Sequence, residues 1–366
     1  MKANKSVFER NPKKTIIILV VLFVVLADSV LGIIFIPKRH HSCRSPHYYY
    51  HHGLSPYRKE MERWGRKVYP MITNSLGFRD KIIREIALQT NKKRILFIGD
   101  SFTEGVGVTY EESFVGLIDK TVDSGIEILN AAVNMYSPKM YYLKTKFLIE
   151  YVGLKFDELF VFIDISDVQD EILFEKFKSD AVGTYDWLSF LSKRFLKRWS
   201  YIYYSINKTK RTSNEEVINP EGLFPSLARK NLDNDIFSSE FINGRPYWTL
   251  NDSVFNKWGR RGLILCRENI KQLADICRKN NIKMTIVVYP WKTQIYMNDL
   301  DSRQVAFWGQ FCRERNLSFI NLFPEFINEG DADIIVNKYF IKGDDHWNVT
   351  GHRLVANKIL KYINLK

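Results

Sequence analysis

Cysteine is scarce in this sequence, with four residues in 366, and no two of them have the C-x-x-C spacing of a zinc ribbon. A dense disulfide framework is therefore excluded, although a single disulfide stays open. Proline (11) and glycine (19) are too few for a collagen-like or proline-rich chain. We find no internal repeat of about 20–50 residues and no nucleic-acid-binding motif, so repeat architectures and nucleic-acid partners are not expected.

What the chain does have is enough apolar material for an ordinary globular fold. It contains 45% hydrophobic and 26% charged residues in 43.2 kDa. This composition suits a single α/β core that carries a sizeable insertion.

The net charge of +13 is concentrated in three segments. Residues 1–14 carry +4, residues 38–67 carry +6 and residues 186–211 carry +6, so the remainder is slightly acidic at −3. Two of these segments flank one long apolar run. This arrangement favours a membrane surface over nucleic acid as the partner.

The apolar run extends over 22 residues, from Thr15 to Ile36, and contains one charge, Asp28. It is long enough to cross a hydrocarbon core of roughly 30 Å. The basic tail at 1–14 places the N-terminus in the cytoplasm and the rest of the chain outside. The alternative is a signal peptide that is cleaved after Ala27, but a second apolar run follows that point and favours a retained anchor. Asp28 either faces a partner helix or lies near the interface.

Residues 37–92 form a lead-in between the predicted anchor and an α/β domain. This segment shows no clear periodicity, so we expect an irregular stretch at the protein surface. Five of the seven histidines lie in 40–52, but their spacing matches no standard metal-ligand set. We therefore predict neither a metal nor a cofactor.

From residue 93 to 366, short apolar runs alternate with amphipathic segments. This pattern predicts a doubly wound, mostly parallel five-stranded sheet, interrupted by an insertion at 172–260. Strands are expected at 94–100, 126–133, 158–166, 283–290 and 317–324, and helices at 109–122, 138–152, 262–279 and 350–363. A capping box formed by Thr109 and Glu112 would open the first of these helices. The ligand site of such a sheet lies at the carboxyl ends of the strands.

Ser101 directly follows the first of these strands, where a nucleophile could be presented to a substrate. The alternative is an ordinary strand-to-helix loop in which Ser101 is a capping residue. Only His346 and His352 lie outside the histidine-rich stretch, so one of them would be the base. Asp344 or Asp345, just before His346, would orient its ring as in a Ser-His-Asp triad.

Two competing motifs are absent. Thr103 occupies the position of the second glycine in a G-x-S-x-G elbow, which excludes the α/β-hydrolase pattern. The glycines at 99, 105 and 107 are not followed by Lys-Ser or Lys-Thr, which excludes a phosphate-binding P-loop.

The sequence IGDSFTEGVGV (98–108) resembles the first conserved block of the SGNH, or GDSL-type, hydrolase superfamily. GDDHWNVTGH (343–352) resembles its last block, in the variant where aspartate stands two residues before histidine. Gly343 occupies the position of the more common aspartate, so the resemblance implies Asp344 as the orienting residue and Asp345 as the fallback. It also implies an SGNH or flavodoxin-like α/β fold and acyl-ester chemistry.

The two middle blocks of the family match less well. Asn130-Ala131-Ala132 resembles the second block, with Ala132 at the usual glycine, and Ser166 stands where the third block has an oxyanion-binding asparagine. The resemblance therefore implies Ser101, Ala132 and a weaker Ser166 as oxyanion donors, and it implies reduced hydrolysis, since one donor is typically worth 10²–10³ in rate. Further site candidates in these blocks are Asp164, Asp167 and Asn348.

The resemblance covers about 94–363 without the insertion, and TNSLGFRD (73–80) is similar to a lead-in segment of membrane-tethered members. An N-terminal helix followed by an external SGNH domain looks like the partners of membrane-bound O-acyltransferases, which modify exported polymers. This implies an exported glycan or another acyl ester as the substrate, and a bacterial periplasm or outer surface as the location. A lipid esterase and a catalytically silent glycan-binding module remain as alternatives.

Within the insertion, apolar residues recur at helical spacing over 188–206, with four Lys or Arg residues between them. This pattern predicts a basic amphipathic helix that either lies on anionic headgroups or packs on the core. Four N-x-S/T sequons follow the predicted anchor, and the one at Asn348 lies inside the histidine block, so we do not expect glycosylation.

Overall fold

A computed structural model describes residues 11–35, 43–177, 200–203, 205, 244–327 and 330–364. The chain divides into two units, of which one contains residues 1–41 and 180–225 and the other contains 42–179 and 226–366. The basic amphipathic helix predicted at 188–206 lies almost entirely outside the described residues.

In the first unit, helix α1 runs from Pro12 to Phe35. An 18-residue window of this helix has a mean hydropathy of 3.0, and the helix is long and apolar enough to cross a membrane. A retained anchor and a signal sequence both have these properties. The carboxylate of Asp28 accepts a hydrogen bond of 2.8 Å from the backbone N–H of Ile202 in the same unit.

The second unit contains a five-stranded parallel sheet, which confirms the predicted α/β fold class. Its strands are β5 Lys93–Ile98, β6 Ile126–Asn130, β7 Glu158–Ile163, β8 Lys283–Val288 and β9 Ser318–Asn321, in the order β6-β5-β7-β8-β9. This is the flavodoxin-like order, in which the second strand lies on one side of the first strand and all later strands lie on its other side. The central strand β7 is buried throughout, because its unbroken apolar run is covered on both faces.

Helices surround this sheet in the alternating order that the sequence predicts. They are α2 Ser101–Glu104, α3 Phe114–Thr121, α4 Pro138–Phe147, α5 Asp167–Leu173, α6 Arg260–Lys279, α7 Lys292–Tyr296, α8 Arg303–Arg315, α9 Phe323–Ile327, α10 Ala332–Tyr339 and α11 Val349–Asn364. A π-helical turn, Leu148–Val152, extends α4, and the turns Asp252–Val254 and Phe255–Gly259 lead into α6.

Helix α3 begins later than predicted. The side chain of Glu112 folds back onto the backbone N–H and hydroxyl of Thr109, at 3.1 and 3.0 Å, but these bonds close a turn and do not start the helix. The helix is capped by Ser113, whose hydroxyl accepts the N–H of Gly116. The predicted capping box at 109–112 is therefore wrong as a helix start.

The lead-in is more ordered than predicted, because residues 43–72 form two antiparallel hairpins. Strands β1 Arg44–His47 and β2 His51–Leu54 form the first, and β3 Lys59–Trp64 and β4 Lys67–Ile72 form the second. In the second hairpin, exposed and half-buried residues alternate along β3.

The three described histidines of this lead-in, His47, His51 and His52, are partly or fully buried, contrary to our expectation. His52 is 2% exposed and its Nε2–H donates a hydrogen bond of 3.0 Å to the backbone oxygen of Asn134, while the His47 ring stacks on Tyr50 at 3.6 Å. Aromatic neighbours cover these rings, so burial lowers the pKa of His47 to about 3 and that of His51 to about 4. Among the described residues, no cluster of three or more His, Cys, Asp or Glu side chains is arranged to hold a metal ion.

All four cysteines are buried and free, so the disulfide that the sequence left open does not form.

Candidate active site

Ser101 lies where β5 meets α2, at the carboxyl edge of the sheet, and its side chain is nearly buried. The turn is held by Asp100, whose carboxylate accepts the N–H of Phe102 at 3.0 Å. Asp100 also lies 3.2 Å from the Ser101 hydroxyl oxygen. The capping role that the sequence left open therefore belongs to Asp100, which leaves the Ser101 hydroxyl available for other contacts.

His346 reaches Ser101 from the loop that precedes α11. Its Nε2 lies 2.7 Å from the Ser101 hydroxyl oxygen, and its Nδ1 lies 2.5 Å from a carboxylate oxygen of Asp344. Burial alone would raise the pKa of Asp344, but hydrogen bonds from His346 and Trp64 outweigh it and lower the pKa to about 2. Because an ionised carboxylate can only accept, Nδ1 carries the proton and Nε2 accepts from the serine hydroxyl.

The loop around Asp344 is rigid for a local reason. The N–H of Ile341 bonds to the carbonyl oxygen of His346 and closes the loop, and the backbone N–H of His346 bonds to Asp344. Gly343 has a φ of +76°, a left-handed conformation in which most side chains are strained. The turn at Gly343 directs the next residue, Asp344, toward the histidine ring.

The other predicted carboxylate, Asp345, points elsewhere. It forms an ion pair of 3.3 Å with Lys292, and 45% of its side chain is exposed. Asp344 is therefore the carboxylate beside the His346 ring, as the resemblance implies.

Trp64 is a site residue that our sequence reasoning missed. It ends strand β3, and its indole N–H donates a 2.9 Å hydrogen bond to the second carboxylate oxygen of Asp344. Its ring also meets the His346 ring edge-on at 4.8 Å, while Phe102 packs against the same ring at 4.6 Å. Nothing in the local sequence singles out Trp64, because its partner lies 280 residues away.

Buried cations of the lead-in hold the turn that contains the nucleophile. Arg44 forms a bidentate ion pair with Glu104, the last residue of α2, and Glu104 also accepts the backbone N–H of Asn134 at 2.7 Å. Arg79 donates to the backbone oxygens of Glu104 and Gly105. The segment 73–80 was recognised as a lead-in, but these contacts could not be read from it.

Ala132, the second predicted oxyanion donor, already has an acceptor. Its backbone N–H donates to the side-chain oxygen of Asn130 at 3.1 Å, and the amide nitrogen of Asn130 donates to the carbonyl oxygen of Thr103. The buried ammonium of Lys144 holds the carbonyl oxygen of Ala131 at 2.7 Å, and burial lowers the pKa of Lys144 to about 7. An oxyanion would therefore compete with Asn130 for the Ala132 N–H.

Ser166, the third predicted donor, is occupied in the same way. Both its backbone N–H and its hydroxyl donate to one carboxylate oxygen of Asp164 at 2.7 Å. The other carboxylate oxygen of Asp164 accepts the indole N–H of Trp291 at 2.8 Å. Asp164 thus organises the loop after β7, and it contacts neither Ser101 nor His346.

Carboxyl groups lie close together beneath this loop. Burial raises the pKa of Asp100 and that of Asp167 well above the usual range, and the neighbouring charge of Asp164 adds to both shifts. Tyr289 donates a hydrogen bond to Asp100, and Tyr141 donates one to Asp167. We conclude that Asp100 and Asp167 are structural acids beside the site.

The remaining candidates are structural. Asn348 caps α11, since its side-chain oxygen accepts the N–H groups of Thr350 and Gly351. His352 is buried, and its Nδ1 accepts the backbone N–H of Phe114 at 3.2 Å. Burial lowers the pKa of His352 to about 3, so this ring stays neutral.

No family model and no curated protein matches the chain. Among solved structures it is similar to a member of the lipolytic protein G-D-S-L family from Veillonella parvula, with 17% identity, a TM-score of 0.37, and coverage of 74% of this chain and 97% of the other. It is also similar to the acetyl xylan esterase AlAXEase (12% identity, TM-score 0.40, 74% and 99% coverage). A third is the psychrotrophic esterase EstA from Pseudoalteromonas sp. (12% identity, TM-score 0.38, 75% and 97% coverage). Likenesses this distant say nothing about the activity or the substrate of this chain.

Proposed function

We propose that this chain is a membrane-anchored, serine-dependent acyl-ester enzyme that acts on an exported glycan or cell-surface polymer. One observation carries the proposal: Ser101, His346 and Asp344 form a continuous chain of contacts, at 2.7 and 2.5 Å. Ser101 is the nucleophile, His346 removes its proton, and Asp344 stabilises the imidazolium that results. The Ser101 oxygen then forms a bond to the acyl carbon, the alcohol leaves with the proton from His346, and water or a glycan hydroxyl releases the acyl group.

The occupied oxyanion donors indicate slow acyl chemistry, because attack by water and attack by a glycan hydroxyl both develop negative charge on the acyl oxygen. Ala132 and Ser166 would have to exchange their present acceptors, Asn130 and Asp164, for the developing oxyanion. An acceptor hydroxyl held beside the acyl-enzyme would outcompete diffusing water, because positioning lowers the entropic barrier of the attack. We therefore favour acyl transfer over hydrolysis.

The placement at a membrane rests on α1, which we propose to be a retained anchor with the enzyme domain in the bacterial periplasm or on the outer surface. Its 24 residues span about 36 Å, more than the hydrocarbon core requires. The resemblance to partners of membrane-bound O-acyltransferases supports such an enzyme as the source of acyl groups.

A silent glycan-binding module is the second candidate, and the engagement of Ala132 and Ser166, two of the three predicted oxyanion donors, favours it. Fluorophosphonate labelling of the full-length protein in detergent separates the two. We expect one adduct, located at Ser101 by mass spectrometry, that is lost in Ser101→Ala and retained in the control Ser75→Ala. An unlabelled wild-type protein would contradict the enzyme.

The biological acceptor can be tested by mass analysis of the surface polymer. Cells that carry Ser101→Ala in place of the wild-type gene should lose acyl groups from that polymer. If acylation persists with Ser101→Ala but disappears when the whole chain is deleted, the silent module is correct.

A further inference from the structure

The outer face of the hairpin formed by β3 and β4 is both basic and apolar. Residues opposite one another in the register share a face, so Met61 and Arg63 lie on the side that also carries Pro70 and Val68. Met61 is 60% exposed and Val68 is 52% exposed. Lys59 and Arg63 are exposed cations on this face, and Arg66 is exposed in the turn.

The inner face of the same hairpin is acidic and aromatic, and it belongs to the enzyme domain. Glu62 accepts the backbone N–H of Cys43 at 3.1 Å, and Trp64 bonds to Asp344. The two acidic residues of β3, Glu60 and Glu62, are half-buried on this side. Along β3 the charges are thus segregated, because Glu60 and Glu62 face the domain and Lys59 and Arg63 face outward.

The hairpin lies at the point where the domain is tethered. Cys43, the first residue that the structure describes after α1, contacts it twice, through its backbone N–H at Glu62 and its thiol at the carbonyl oxygen of Met71. Seven residues, 36–42, join Cys43 to the end of α1, and even a fully extended connection of that length spans only about 28 Å. A retained anchor would therefore keep Cys43 within about that distance of the end of α1.

We propose that this outer face binds the headgroups of anionic phospholipids. Exposed cations around a small apolar centre are typical of surfaces that lie on anionic membranes, where each Lys or Arg strengthens binding about fivefold. The proposal rests on the anchor of the proposed function and extends it, because the hairpin whose tip contacts Asp344 would rest on the membrane. A face that binds a protein partner would be expected to have a larger apolar patch than this one.

The test uses the full-length chain in nanodiscs of phosphatidylcholine, with or without phosphatidylglycerol. A fluorophore on Met61→Cys reports contact through quenching by lipids with a nitroxide on the headgroup. Ile264→Cys, 55% exposed on α6, is the control position, and the native thiols do not interfere because they are buried. We expect strong quenching at residue 61 with phosphatidylglycerol, weak quenching without it or at high salt, and little quenching at residue 264.

Reversing the charge of two exposed cations is the second part of the test. Lys59→Glu with Arg63→Glu should lower the equilibrium constant for headgroup binding by roughly 25-fold or more. The matched control, Arg278→Glu with Lys279→Glu, changes the net charge equally on α6 and should leave quenching unchanged.

Absence of quenching at residue 61 in anionic discs would overturn the proposal. So would equal quenching in neutral and anionic discs, or protection of residue 61 that appears only with a co-reconstituted membrane protein. Fluorophosphonate labelling of Ser101 in the same samples is an independent readout, so failure of the lipid contact and failure of the catalytic assignment are distinguishable. Co-elution of the chain with the discs reports separately on the anchor.

Discussion

Trp64 and Asp344 are joined by a hydrogen bond of 2.9 Å across 280 residues of sequence. Through this bond the lead-in hairpin supports the proposed triad, since the other oxygen of Asp344 holds His346. Trp64 is thus a positioning residue that keeps both carboxylate oxygens occupied and the imidazole in one orientation.

Replacing Trp64 with phenylalanine tests this role, because the ring is kept and the N–H is lost. A hydrogen bond to a charged group contributes roughly 1.5–3 kcal/mol, so we expect kcat for p-nitrophenyl acetate to fall about tenfold or more with little change in KM. Assays in detergent with Val68→Ala, on the same hairpin, provide the control. Wild-type kcat in Trp64→Phe would show that Asp344 does not need this donor.

Substitutions of the two neighbouring aspartates, Asp344 and Asp345, should differ sharply in their effect on kcat. Asp344→Asn leaves His346 without its ionised partner and should lower kcat by about 10³-fold or more. Asp345→Asn removes only an exposed ion pair with Lys292 and should stay within about twofold of wild type. Steady-state kinetics on the two purified variants decide between them, and a larger loss in Asp345→Asn would reverse the assignment.

Ser166→Asn should increase ester hydrolysis. The hydroxyl of Ser166 is committed to Asp164, whereas an asparagine amide has two donors and can extend toward the oxyanion. We expect kcat to rise at least about tenfold toward the 10²–10³ that one oxyanion donor provides. Ser166→Ala is the control and should not gain activity; an unchanged Ser166→Asn would mean that the oxyanion lies elsewhere.

His352 should affect stability more than chemistry. Burial holds its folded-state pKa near 3, whereas the unfolded chain binds a proton below about 6.5, so the free energy of unfolding falls as the pH drops from 6.5 toward 3. His352→Gln keeps an acceptor for Phe114 but cannot titrate, and it should remove up to about 1.4 kcal/mol per pH unit from that slope. Denaturation at several pH values measures the slope, and kcat at pH 7 should stay within a few fold. An unchanged slope would show that His352 is already protonated in the folded chain.

The sheet was predictable because its strands β5, β7 and β8 are short, mainly apolar runs that end in a turn, as in RILFIGD at 94–100. Ser101 and His346 were predictable for a related reason, since both lie in short, recognisable blocks at strand or helix ends. Trp64 was not, because alternation along a strand reveals which face a residue occupies but not which distant group it meets.

The histidine-rich stretch shows a second limit of the sequence. Polar rings such as those of His47 and His52 suggest a surface, yet the aromatic residues that bury them come from distant helices such as α4. The engagement of Ala132 by Asn130 was equally hidden, because it depends on the rotamer of one side chain and not on the residue type.

Gly343 restricts how this triad could change during evolution. An aspartate there would occupy the position of the more common family pattern, and space for its Cβ is open, but the backbone at φ +76° would strain any residue with a side chain. It would also have to displace Asp344, whose carboxylate is already bound on both oxygens. Moving the orienting carboxylate from position 344 to position 343 would therefore require the loop to be rebuilt, and a single substitution would not achieve it. The spacing of Asp344 and His346 should consequently be a durable marker of descent for chains that share this turn.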